Sequence, residues 1–167
     1  MRLIRPDLEM KDAFSAYCRE WEASGEKMVP FASRLGDRTY ETWLEDTWRL
    51  ETQPNGSCVP AHTFFALDSG GEMIGVISVR HTLNEYLLWF GGHIGYGVRP
   101  SARRHGHATA MLAAALPVAR GLGLSRVMVS CNKENIGSAR TIQNNGGVLE
   151  NEVVEDGQIV QRYWISL

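Results

Sequence analysis

The strongest constraint on the fold lies between Leu87 and Leu122, where an aromatic and β-branched run passes through a basic turn into an alanine-rich stretch. Trp89, Phe90, Ile94, Tyr96 and Val98 predict a strand over 87–98, and Pro100 stops it. Gly91, Gly92, Gly95 and Gly97 interrupt that strand. Each removes side-chain packing, so each implies a bulge or a close approach to the backbone. Beyond the loop, Ala108, Met111, Leu112, Ala115, Ala119 and Leu122 share one face at helical spacing, with Gly121 or Gly123 as the stop. Pro117 removes one backbone donor and predicts a kink in the last turns. A strand, a loop and then a helix aim the unpaired N–H groups of the helix start at the loop, which makes an anion site. Arg103, Arg104, His105, Gly106, His107 and Ala108 therefore read as a cradle for phosphate or pyrophosphate, with no side chain at Gly106 to obstruct contact. Neither the P-loop pattern nor the dinucleotide fingerprint is present, so those two phosphate-binding classes drop out.

The flanking segments fit one α/β domain spanning residues 1–167. A short strand at 2–5 ends before Pro6, and Asp7 is placed to cap a helix whose apolar stripe is Phe14, Tyr17, Cys18 and Trp21, ended by Gly25. A second helix begins near Thr39, with Tyr40, Trp43, Leu44, Thr47 and Trp48 at helical intervals. Residues 63–67 and 73–79 form a hairpin across Asp68 to Gly71. Residues 126–131 read as a buried strand and 135–145 as a helix ended by Gly146. Strands over 148–154 and 158–165 are joined by Glu155, Asp156 and Gly157.

Seventeen Lys and Arg against nineteen Asp and Glu give a net charge of −2, which argues against duplex nucleic acid or an anionic membrane surface as partner. The charged amino terminus lacks the apolar stretch of a signal peptide, and no apolar run approaches the ~20 residues of a membrane span. Cys18, Cys58 and Cys131 form no metal-binding pair and read as reduced thiols, so a cytoplasmic location and no metal are expected.

The segment Arg103-x-x-Gly106-x-Ala108 in this setting resembles the acetyl-coenzyme A signature of the GCN5-related N-acetyltransferases (GNAT). The order of elements over nearly the whole chain is similar to that superfamily: β-α-α-β-β-β-α-β-α-β-β, a mixed, mostly antiparallel sheet of about seven strands with about four helices. Asn135 and Ser138, opening the helix after the fifth strand, resemble its second signature. Residues 81–85, 91–96, 144–150 and 161–164 resemble a subgroup of acetyltransferases without an assigned substrate.

That resemblance implies acetyl-coenzyme A as co-substrate and transfer of its acetyl group to a primary amine, on a small molecule or a peptide, by direct attack in a ternary complex. Arg103, Arg104, His105, Gly106, His107, Ala108 and Thr109 would hold the pyrophosphate. Tyr96 and Val98 would pair with the pantetheine amides like an added strand. Asn135 and Ser138 would face the pantetheine arm. His93, where many relatives carry Glu, is the first candidate base, against the alternative of a hydrogen-bonded strand histidine; Glu85 and His81 come next. The family's Tyr acid position is Ile142 here, which leaves Tyr96, Ser138 or water to protonate the thiolate. The departure at Ile142 and the choice among bases keep a non-catalytic acyl-coenzyme A sensor open, and the basic loop alone keeps open an anion-binding interaction domain. A homodimer through the last strand is also open.

Overall fold

A computed structural model describes residues 1–167 as seven strands and four α-helices. Strand β1 is Arg2–Ile4, and α1 is Lys11–Ser24. Asp7 accepts from the N–H groups of Glu9 and Met10, but the capped segment is a 3₁₀ turn, Leu8–Met10, and the α-helix starts one turn later. Gly25 ends α1 in the left-handed conformation. Helix α2, Tyr40–Leu50, is capped by Thr39. Strands β2 (Ala61–Leu67) and β3 (Met73–Arg80) form the expected hairpin. Strand β4 (Ile94–Val98) pairs antiparallel with β3, and β1 with β2.

Helix α3, His107–Gly121, runs through Pro117 to its end. Strand β5 (Arg126–Asn132), helix α4 (Ile136–Asn144) and strands β6 (Val148–Glu155) and β7 (Gln158–Ser166) complete the chain. Asp156 and Gly157 both have positive φ, as the tightest hairpin turn requires. The strands lie in two hydrogen-bonded sheets, ordered β1-β2-β3-β4 and β5-β7-β6. No helix is long and apolar enough to cross a membrane.

Two apolar layers hold the first sheet. On one face, Phe14 of α1 stacks on Trp43 of α2 and on Phe65 of β2, with centroids 4.7 and 5.2 Å apart. On the other, Met111, Leu112, Ala115 and Ala119 of α3 pack with Ile77, Val79 and Ile94, and this cluster continues into β5 and β7. Strand β3 is buried along almost its whole length, which accounts for its near-continuous apolar sequence. Burying a side chain the size of Phe14 stabilises the fold by about 2–3 kcal/mol, so α1 is held by packing more than by helix propensity.

The expected strand over 87–98 is half helical. Asn84 Oδ1 accepts the Leu87 N–H at 2.9 Å, and residues Leu87–Gly91 wind into a wide helical turn closed by the Gly92 N–H on the Leu87 carbonyl. Gly92, at φ 65°, has its Cα against the Met128 carbonyl, where a Cβ would sit 2.5 Å from that oxygen. The glycines thus end a helical turn and admit β5, where the aromatic run alone reads as a strand.

Candidate active site

The two sheets are hydrogen-bonded to each other at one point and separate above it. The His93 N–H donates to the Met128 carbonyl at 2.7 Å, and the Met128 N–H donates to His93 Nδ1 at 2.9 Å. Beyond this pin β4 and β5 exchange no hydrogen bond, and the gap between them is walled by β4, the start of α3 and α4. In β4 the Arg99 N–H donates to Ile74 and the Arg80 N–H to His93. By the alternation of an antiparallel ladder, Tyr96 and Val98 therefore turn their main-chain groups to the open edge. The Val98 carbonyl takes the Arg103 side chain at 3.2 Å, leaving the Tyr96 N–H and C=O and the Val98 N–H unpaired.

A cleft of about 830 Å³ occupies this opening. Its floor is the start of α3, where the N–H groups of Arg104 through Thr109 make no hydrogen bond within the chain. Gly106 at φ 78° and Arg104 at φ 69° turn the loop so that these groups converge, the concave arrangement that binds oxyanions. No Cβ contact blocks Gly106. A free strand edge above and a row of free N–H groups below fit the amides and pyrophosphate of coenzyme A.

The structure brings Tyr96, Val98, Arg103, Arg104, Gly106, His107, Ala108, Thr109, Asn135 and Ser138 to the cleft wall, and leaves His105 outside it. The basic character of the loop is smaller than its composition suggests. Arg103 donates to Glu26 at 2.8 Å and lies over the Trp21 ring at 4.9 Å. Arg99 pairs with Glu20 and Glu72. Only Arg104 keeps an exposed, unpaired guanidinium on this loop, and the first two arginines brace it. Asn135 Oδ1 caps α4 through the Ser138 N–H at 3.0 Å, so it shapes the wall before it touches any ligand. Across the opening the Tyr96 hydroxyl meets Ser138 Oγ at 2.7 Å. Burial pushes the Tyr96 phenol up to about 12, against a smaller opposing effect of the Ser138 hydrogen bond.

The expected base does not line the cleft. His93 is 6% exposed, its Nδ1 is engaged by Met128, and its ring is 6.1 Å from that of Trp164. Burial, then Arg80 and Arg126, hold its imidazole down at about 4. His93 is the pin of the splayed strands. Glu85 is exposed and lines neither this cleft nor the cavity described below. His81 Nε2 is hydrogen-bonded to His62 Nδ1 at 2.8 Å at the sheet end, also outside both. Ile142, at the family's Tyr position, is fully buried in the core.

A second cavity, about 560 Å³, opens on the other side of β4, among α2, the loop before it and the ends of β2 and β3. Lys27 belongs to the walls of both. The segment at Val29 and Pro30, joined by a cis peptide bond, lies directly on β4. A Cβ at Gly97 would overlap the Val29 carbonyl, and one at Gly95 would sit 3.2 Å from Pro30 Cβ. These contacts give Gly95 and Gly97 their reason. Residue spacing gave no warning of Arg80, whose guanidinium reaches from β3 to the Gly91 and Gly92 carbonyls at 2.9 and 2.8 Å and lines this cavity. Arg34 and Arg38 in the same wall were equally silent in the sequence, lying in a loop without periodicity.

Solved structures of other proteins share this fold across nearly the whole chain. The microcin C7 self-immunity acetyltransferase MccE, solved with acetyl-coenzyme A and AMP, superposes with a TM-score of 0.70 at 14% identity, covering 99% of this chain and 91% of that one. A mutant of spermidine N-acetyltransferase SpeG from Vibrio cholerae gives 0.65 at 18% identity, covering 99% and 95%. The GNAT domain of S. lividans PAT gives 0.64 at 17%, covering 99% and 89%. No curated protein sequence matches the chain. Residues 1–148 match the family model described as Acetyltransferase (GNAT) domain, which spans most of the chain and includes β4, the cradle and α4. On that match the chain belongs to the GNAT family and is an acyltransferase, with acetyl-coenzyme A-dependent acetyl transfer as the family's activity.

Proposed function

We propose that the protein acetylates a primary amine by direct attack of the amine nitrogen on acetyl-coenzyme A bound in the cleft between β4 and β5. The observation that carries this is the pairing of an unoccupied strand edge at Tyr96 and Val98 with the row of free N–H groups at the start of α3. Acetyl-coenzyme A supplies the activated acyl group: a C–N bond forms as the C–S bond breaks, the nitrogen loses one proton, and the sulfur leaves as a thiolate that takes one.

The chain's own residues orient and stabilise. The α3 N–H groups and Arg104 hold the pyrophosphate charge, and the Tyr96 and Val98 main chain fixes the pantetheine. The Tyr96 hydroxyl, kept protonated by its burial, donates a hydrogen bond to the departing thiolate, and Ser138 Oγ orients it. Its high pKa suits hydrogen-bond donation better than full proton transfer, so the thiolate takes its final proton from water.

The second cavity is the place proposed for the amine, the acceptor cavity; no histidine lines it, and its one carboxylate, Asp46, is engaged by Arg38 at 3.2 Å and Arg49 at 3.6 Å. The amine therefore enters neutral or loses its proton to water, and the rate rises with pH toward the amine's own pKa without a histidine-like step near 6.5.

Calorimetric titration with coenzyme A, followed by thiol release from acetyl-coenzyme A over a panel of amines, tests the reading. The absence of binding at millimolar ligand overturns the assignment of the cleft. Binding without release on any amine makes the protein a sensor of acyl-coenzyme A instead.

A further inference from the structure

The acceptor cavity is cationic, in a chain whose net charge is −2. Lys27, Arg34, Arg38 and Arg80 line it against the single carboxylate of Asp46, a balance of four positive groups to one negative, or +3. Three of the four have no acidic partner. Arg38 is the exception, tied to Asp46 and to the carbonyls of Leu35 and Arg34.

Arg80 is the sharpest case. It is partly buried and spends one guanidinium nitrogen on the Gly91 and Gly92 carbonyls, while its Nε and second terminal nitrogen have no partner in the chain. The groups facing it are Tyr86, Cys58 and His93, none of which is a carboxylate. Burial lowers its pKa without taking it out of the charged state. Arg34 anchors itself through Nε on the Met28 carbonyl at 2.8 Å, lies over the Phe31 ring at 5.4 Å, and leaves both terminal nitrogens free. A partly buried arginine without a carboxylate is costly unless an anion from outside completes it, and a free guanidinium fork is shaped for a two-oxygen anion.

We infer that the acceptor is an amine that also carries an oxyanion, a carboxylate or a phosphate, paired by Arg34 and Arg80, and that polyamines are excluded. This rests on the acetyltransferase reading and narrows it to one substrate class. The cavity holds a small molecule of that kind, and Lys27, shared with the cofactor cleft, lies where the two ligands meet. A polyamine brings two or more positive charges into a site that already has an excess of three, which opposes entry at every approach.

The test is equilibrium binding to the full chain, with and without saturating coenzyme A, of γ-aminobutyrate, O-phosphoethanolamine, 1,4-diaminobutane and butylamine. The two oxyanion-bearing amines should bind at least about tenfold tighter than the diamine and the monoamine, and their ratio identifies carboxylate or phosphate as the preferred anion. Arg34→Met should weaken both by about tenfold and leave coenzyme A affinity unchanged, with part of the loss restored in Arg34→Lys. Arg34 lies in a surface loop, so this pair remains informative even where Arg80→Gln fails to fold. The inference is overturned where the diamine or butylamine binds as tightly as the oxyanion-bearing amines, where none of the four binds at about 10 mM, or where Arg34→Met changes nothing. Loss of coenzyme A binding in the separate titration withdraws the acetyltransferase reading and leaves the comparison among amines standing.

Discussion

The two compartments on either side of β4 are built from different materials. The cleft toward β5 offers main-chain groups, a free strand edge and a row of helix-start N–H groups, and the arginine that follows its strand edge, Arg103, is tied to Glu26. The cavity toward α2 offers side chains, and most of its cations are untied. Backbone donors recognise phosphate and amide groups whatever residues carry them, so such a cleft suits a partner that never changes. Side-chain charges set which acceptor is admitted, and single substitutions can retune them. On the proposed assignment the acyl-donor side is therefore generic and the acceptor side particular.

This division predicts different responses to substitution and to pH. The largest effect is at the His93 pin, which lines neither compartment. Unfolded, His93 takes a proton near pH 6.5; folded, burial keeps it neutral to about pH 4. The unfolded state thus gains protons first as pH falls, and stability should drop between those values by up to about 3 kcal/mol, read from denaturation midpoints across that range. His93→Asn should flatten that dependence while lowering stability at neutral pH.

Next, Gly106→Val puts a β-branched residue at φ 78° in the floor of the cleft and should weaken coenzyme A by about 30- to 100-fold in calorimetry, with ligands of the acceptor cavity unaffected. Equal loss on both sides would break the division. Tyr96→Phe should lower kcat by about tenfold or more with coenzyme A affinity held within about threefold, since it removes the donor proposed to meet the forming thiolate. The smallest effect is Arg104→Ala, a loss of about threefold in coenzyme A affinity that shrinks as salt is raised, because this guanidinium is exposed and screened.

The same division explains what was legible in the amino-acid sequence. The cradle could be read because backbone-built sites leave compositional traces: a glycine where the chain must turn left-handed, small residues at a helix start, Asn135 at a cap. The helical stripes of α1 and α2 and the Asp-Gly hairpin were legible for a similar reason, periodicity and turn chemistry being local. His93 was not. A histidine on a glycine-flanked strand suits a base as well as a pin, and only the position of Met128, 35 residues away, decides between them. Gly97 was legible as a close approach, but what approaches it is the Val29 carbonyl, from a loop with no pattern. Arg34 and Arg80 carry no mark of their shared cavity, because side chains from a loop and a strand end converge only through tertiary packing. The wide helical turn at Leu87–Gly91 was read as strand because its aromatic residues favour strands, while Asn84 and the glycines favour the turn.

The Val29–Pro30 segment resting on Gly95 and Gly97 bears on how such an enzyme can be diversified. Any change at Gly97 larger than a hydrogen atom must move the Val29 carbonyl, so position 97 is held to glycine by the main chain of residue 29, whatever side chain that residue carries. Arg34 and Arg38 stand outside that contact. If the second cavity takes the acceptor as proposed, new acceptor ranges are most accessible, by laboratory evolution or by natural drift, through the arginine side chains of the loop before α2, while the segment bearing on the β4 glycines stays fixed.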